Sequence, residues 1–240
     1  MNVFYRISDA GYKKIKPDYI NNDNCLHNFV DKFANYAKIK VIADNVSDDT
    51  YNMVCRFVDK EDIERVSVGH GAGTFNLALN MALELPSLNY VYFVENDYLH
   101  KDYSAEILME GINMGFPYVT LYDHIDKYIS KQHGGNPFIE RDGGEHSKVY
   151  LTKSCHWKIT NSTTMTFATT VKDLQQDEPI LRKWTNQTHP HDFNMFMELG
   201  KNNRYCISSI PGYATHGELQ WLAPLTDWEE VALTRSVNVV

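Results

Sequence analysis

The chain has 240 residues, 43% of them hydrophobic and 22% charged, which excludes disorder, collagen and coiled coil and supplies apolar material for one or two cores. Mean hydropathy is −0.42, and the longest apolar runs, such as residues 90–94, fall far short of the ~18–20 residues of a membrane span, so no integral membrane segment is expected. Net charge is −8, with 31 acidic against 23 basic residues, which argues against generic capture of nucleic acid or anionic lipid while leaving room for a local basic groove. MNVFYRISDAG shows no secretory pattern, so a cytoplasmic protein is expected. Cys25, Cys55, Cys155 and Cys206 have no CxxC spacing and read as reduced, mostly buried thiols.

In chain order, the run at 3–7 predicts a strand, and apolar Leu26, Phe29, Val30 and Phe33 predict a helix over 25–36. A strand at 39–43, a helix at 49–58 behind a Ser47 cap, a strand at 65–68, a helix at 74–85 and a strand at 90–94 continue the rhythm. A helix at 105–114 and a strand at 118–121 follow. This is the βα alternation of a mainly parallel sheet flanked by helices, and wholly apolar strands such as VYFV suit burial on both faces.

At 133–147 the text reads HGGNPFIERDGGEHS and the alternation stops, as in a loop or lid. Strands at 148–151, 157–159 and 165–168 and helices at 171–184 and 192–201 then give an α+β second half, with a short helix or a tail after Trp228. No internal repeat or linker is visible, so one domain over 1–240 is expected.

The sharpest chemical feature is YVYFVENDYLH, where a buried strand runs directly into Glu95, Asn96 and Asp97. Carboxylates at the carboxyl end of a parallel strand sit where open α/β sheets bind ligands, and two of them one residue apart suit a hard divalent cation. A solvated acidic turn is the plain alternative. Two further features precede it in order: the acidic turn IADNVSDDT after the second strand, and VGHGAGTFNLALN after the third.

That order over residues 3–97 resembles the GT-A glycosyltransferases, especially the family-2-like group, and implies a GT-A type Rossmann-like sheet with residues 1–100 on the nucleotide side and 101–240 on the acceptor side. The resemblance casts Asp44 as the base-contacting acid, with Asn45, Ser47 and Asp49 as companions, although Asn45 stands where many members have Asp. Glu95 and Asp97 fall on the DXD metal positions, Glu being a departure from the commonest form. His216, in IPGYATHGE, matches the C-terminal histidine that many members supply as a third ligand, giving a Mn²⁺ or Mg²⁺ site. Ser8 and Asp9 would lie near the nucleotide. Asp192, in HDF at a helix start, matches the acid that takes the acceptor proton in inverting members.

Each of these residues also has an ordinary reading: Ser8 and Asp9 as a strand-ending turn, Asp192 as a helix cap, His216 as an exposed turn residue. GHGAG at 69–73 has neither GxGxxG spacing nor a P-loop lysine and reads as a tight turn, with His70 a possible donor contact. Asp177 and Glu178, in QQDEP, rival Asp192 but look like a solvated helix edge. Thr160, Asn161 and Ser162 offer sugar or phosphate contacts or ordinary strand hydroxyls, and His100, His124, His133, His146, His156 and His189 read as surface or loop residues. The tryptophans suit core packing, with Trp221 the nearest to His216 in the chain as a platform for a sugar ring.

The expected activity is transfer of a sugar from a nucleoside-diphosphate sugar, UDP-linked by family precedent, to an acceptor hydroxyl with inversion, an ionised Asp192 of ordinary pKa serving as base. The alternatives are a metal-dependent sugar-phosphate nucleotidyltransferase, for which the single glycine of SDAGYKKIKP is too few, and a non-catalytic carbohydrate-binding module. A glycan, lipid-linked saccharide or protein acceptor fits, and a modified base in DNA fits less well with the negative charge. Nothing in the text bears on oligomeric state.

Overall fold

Strand β1 (Asn2–Ser8) sends Val3, Tyr5 and Ile7 to one face of the sheet and Phe4 and Arg6 to the other, and β4 (Tyr90–Glu95) repeats this with Tyr92 and Val94 against Val91 and Phe93. This period of two, apolar on both sides, demands a helical layer on each face. The computed structural model describes residues 1–11 and 14–234.

The nine-stranded sheet adds β2 (Lys38–Asp44), β3 (Ile63–Val66), β6 (Tyr118–Thr120), β7 (Val149–Leu151), β8 (His156–Thr160), β9 (Phe167–Thr170) and β10 (Cys206–Ile210), in the order β3-β2-β1-β4-β9-β6-β10-β8-β7. Among the described residues only β9 and β8 run against the others, so the sheet is mixed and largely parallel. Helices α1 (Asn22–Phe33) and α4 (Ser104–Ile112) cover the Tyr5 face, with α2 (Asp48–Val54) and the short C-terminal α7 (Trp228–Leu233) packed on α1. Helices α3 (Gly71–Leu83), α5 (Val171–Trp184) and α6 (Asp192–Lys201) cover the Phe4 face. Asn21 and Ser47 cap α1 and α2 through side-chain oxygens, as their residue types favour.

Several elements differ from expectation. Helix α3 starts three residues early because His70 Nδ1 accepts the Gly73 N–H at 3.0 Å, so Gly71 and Gly73 lie in its first turn and not in a loop before it. Helix α2 stops at Val54, closed by i→i+3 bonds from Arg56 and Phe57. Strand β3 begins and ends two residues before 65–68, and β9 is displaced two residues beyond 165–168.

A second sheet pairs β5 (Tyr98–His100) with β11 (Ala214–His216), so His216 ends a strand and is buried, not exposed in a turn. His100 is fully buried among Phe29, Phe33 and Tyr92, and burial pushes its pKa down to about 3. Asp177 is buried too, its Oδ2 accepting from Tyr118 Oη and Arg204 Nε, both at 2.8 Å, which removes it from the solvated edge. Residues 134–148 carry neither helix nor strand. Cys25, Cys155 and Cys206 are buried and Cys55 half-buried, all as free thiols.

Candidate functional site

Parallel pairing brings the carboxyl ends of three strands to one rim: Ser8 stands opposite Asp44 and Arg6 opposite Glu95. The rim opens into a cleft of about 440 Å³ lined by Ser8, Asp9, Asp44, His70, Glu95, Asn96 and Asp97, seven of the residues singled out in the sequence, together with Arg6, Lys14, Lys16 and Asn22. Asn45, Asp192 and His216 lie outside that lining. A second cavity, of about 410 Å³, is bordered by Thr160 and Asn161 and contains none of the strand-end carboxylates. Ser162 is buried and accepts from Lys127 Nζ at 2.9 Å.

At one end of the cleft Asp44, 3% exposed, clasps the turn before α3, its carboxylate accepting from Val68 N at 2.6 Å and Gly69 N at 2.9 Å. Gly69 has φ +82, a region glycine reaches without strain. Asn45, itself at φ +50, braces this clasp: its amide donates to Asp44 Oδ1 and its carbonyl accepts from Ser67 Oγ at 2.6 Å. Asp9 ties the end of β1 to α2, accepting from Ser47 N at 2.7 Å and Thr50 Oγ1 at 2.6 Å. Partial burial works against its charge, yet these bonds and one from Asn22 hold its pKa below the ordinary value. Ser8 Oγ turns back to Ala10 O at 2.7 Å, and Asn96 donates to Ser8 O and Asn22 Oδ1. Ser8, Asp9, Asn45 and Asn96 thus shape the rim through bonds to the backbone and to the side chains of Asn22, Asp44, Thr50 and Ser67.

At the other end, Asp97 is 7% exposed and Oδ2 meets His216 Nε2 at 3.3 Å, Lys16 Nζ at 2.9 Å and Lys14 Nζ at 3.8 Å. Burial alone would push this carboxyl up, but His216, Lys16 and Lys14 hold it well below the usual carboxylate range. Glu95 turns away, toward Arg6 Nη2 at 3.4 Å. Arg6, 5% exposed on the Phe4 face, also donates to Gly71 O and Met165 O, both at 3.2 Å. No cluster of three or more acidic, His or Cys side chains able to hold a metal exists among the described residues; Asp97 and His216 form a pair of donors.

Asp192 is the first residue of α6, and His191 occupies the cap position. The aspartate does not cap the helix; Oδ1 accepts from the adjacent Phe193 N at 2.7 Å. Burial and the negative charge of Glu95 raise its pKa to about 6, against the Phe193 bond and the positive groups His216 and Lys127. The segment ahead of it is pinned to the start of α3, since Ala72 N donates to Thr188 O at 3.3 Å.

Sequence reasoning did not single out Arg6, Lys14, Lys16 or Asn22. The lysines were visible as the KKIK run, but their long-range partners were not. Nothing in a one-letter string distinguishes Arg6 from a surface residue in a strand.

No family model matches the sequence, and no curated protein matches it significantly. Solved structures match across most of the chain. GalNAc-T7 with UDP, GalNAc and Mn²⁺ superposes with TM-score 0.55 at 10% identity, covering 90% of this chain and 43% of that one. S. aureus TarS 1–349 in complex with UDP-GlcNAc gives TM-score 0.50 at 15% identity, covering 89% and 58%, and S. aureus TarS gives 0.50 at 13%, covering 86% and 34%. This chain therefore spans between 34% and 58% of the length of these structures. At such identities the likeness concerns the fold, which is the GT-A fold.

Proposed function

We propose that this chain is a glycosyltransferase that moves a sugar from a nucleoside-diphosphate sugar to an acceptor hydroxyl. The observation that carries this reading is that Asp44 and Asp97 line one cleft at the carboxyl ends of parallel strands, the place where such sheets bind ligands, with His216 in contact with Asp97. UDP is the favoured nucleotide because two of the structures sharing the fold hold UDP or a UDP-sugar.

In this reading the nucleobase and ribose take the Asp44 end, where the Val68–Gly69 turn is clasped by Asp44, and the diphosphate takes the Asp97 end. Asp97 Oδ2 and His216 Nε2, 3.3 Å apart, are close enough to serve one cation, and a carboxylate with an imidazole suits Mn²⁺ over Ca²⁺. Such an ion supplies charge neutralisation for a departing diphosphate. Glu95, engaged by Arg6, stands outside that pair. Asp192 takes the proton of the acceptor hydroxyl as it attacks the anomeric carbon from the face opposite the diphosphate, so the product is inverted. Its raised pKa, about 6, makes it a stronger base than an ordinary aspartate while leaving it mostly ionised at neutral pH.

A thermal-shift panel of nucleoside diphosphates and nucleotide sugars, each with Mn²⁺ and with EDTA, tests the reading. A ligand at about 100 times its Kd adds roughly 2.7 kcal/mol to the native state, a rise of several degrees, and UDP or a UDP-sugar is expected to give it. No rise with any nucleotide in either condition overturns the assignment.

A further inference from the structure

We propose that Lys14 and Lys16 are resident cations of the diphosphate end of the cleft, so that a nucleoside diphosphate binds this chain without a divalent ion. This rests on the reading of the cleft given above. Both lysines follow β1, both line the cleft, and their side chains are 27% and 31% exposed, open enough to meet a ligand. Lys16 Nζ is 2.9 Å from Asp97 Oδ2, and Lys14 Nζ is 2.9 Å from His216 Nε2.

An ammonium group has three N–H donors and no acceptor. The Lys14 ammonium lies against His216 Nε2, the ring nitrogen a metal would take. The two ammonium groups thus hold the two atoms that a divalent ion would need, and ion and lysines exclude one another there. Each lysine spends one donor, or two, on Asp97 and His216 and keeps the rest for phosphoryl oxygens. Charge points the same way. Against the single charge of Asp97 stand two ammonium groups, while Glu95 is matched by Arg6.

Calorimetric titration of UDP and of inorganic diphosphate into wild type, Lys14→Met/Lys16→Met and Lys14→Arg/Lys16→Arg, in EDTA and in Mn²⁺, tests this, with Mn²⁺ binding read separately by electron paramagnetic resonance. Wild type is expected to bind UDP in EDTA within about threefold of its affinity in Mn²⁺. The Met pair is expected to lose about 10–100-fold in EDTA, to recover in Mn²⁺ and to bind Mn²⁺ more tightly than wild type, while the Arg pair keeps its affinity in EDTA. Thermal unfolding of the variants checks that they fold, as the exposure of both side chains predicts. The inference is overturned if wild type in EDTA binds more than tenfold more weakly than in Mn²⁺, or if the Met pair binds UDP in EDTA as wild type does. Absence of any binding of UDP and diphosphate by wild type in both conditions overturns the nucleotide reading and the inference with it.

Discussion

His216 Nε2 stands 3.3 Å from Asp97 Oδ2 because β11 pairs antiparallel with β5, His216 lying opposite Tyr98. The ribbon delivers a residue from the C-terminal part of the chain to the tip of β4, and its register decides whether the two groups meet. The next residue, Gly217, permits the approach: a Cβ there would lie 2.3 Å from Ile20 Cγ2 and 2.8 Å from Asp97 O.

Gly217→Ala is therefore expected to push β11 off the Asp97 loop, costing about 1–3 kcal/mol in urea unfolding and weakening UDP binding by at least about tenfold. Gly200→Ala, in α6 with nothing within 4 Å of its Cβ, is the control and is expected to gain about 0.5–1 kcal/mol. Equal stability and affinity in Gly217→Ala and wild type would show that the close approach is not limiting.

Arg6 and Glu95 form a pair whose two members differ in burial, 5% against 28% side-chain exposure, so their removal has unequal effects. Arg6→Met leaves Glu95 without its cation and removes a donor from the carbonyls of Gly71 and Met165, and is expected to cost about 3–5 kcal/mol. Glu95→Gln keeps an acceptor facing Arg6 and is expected to cost about 1–2 kcal/mol. UDP affinity in Mn²⁺ should be unchanged in Glu95→Gln; a tenfold loss there, restored by raising Mn²⁺, would return Glu95 to the ligand set.

Asp177 serves α5 and the sheet beneath it, not the cleft. Asp177→Asn weakens bonds to Tyr118 and Arg204 in a buried setting, and a loss of about 1–3 kcal/mol in urea unfolding is expected, with sugar transfer retained by the folded fraction. Abolished transfer in a stably folded Asp177→Asn protein would revive it as the base.

What could be read in the sequence follows from the range of each interaction. The two-residue alternation of β1 and β4 and the bounds of α5 and α6 are local, set by side-chain period and by punctuation such as Thr170 and Pro190, and they are legible. The acidic strand ends were legible for the same reason, since a strand that stops on a carboxylate shows both facts in adjacent letters. Strands β5 and β11, three residues each, owe their existence to pairing with one another and carry no period of their own. The early start of α3 was hidden because His70 is an uncommon cap, and its ring nitrogen does the work usually done by a Ser or Asp oxygen. The Arg6–Glu95 contact was hidden because Arg6 sits on the neighbouring strand in a register that only the folded sheet defines.

The raised pKa of Asp192, about 6, bears on activity and stability with opposite sign. As the proposed base it must be ionised, so kcat/KM for transfer should be flat above about pH 7 and fall tenfold per pH unit below about 6. Asp192→Asn should bind UDP as wild type does and lose transfer by about 10²–10⁴-fold. In the unfolded chain the same carboxyl ionises with its ordinary value near 3.8, so its charge penalises the fold from that pH upward and fully above about 6. Asp192→Asn is therefore expected to melt higher than wild type at pH 8 and to lose that advantage at pH 3.5, each kcal/mol appearing as about 2–4 °C. A variant that loses transfer but melts identically to wild type at both pH values would mean that Asp192 ionises in the folded protein as freely as in water, and the acidic limb of the rate profile would then belong to another group.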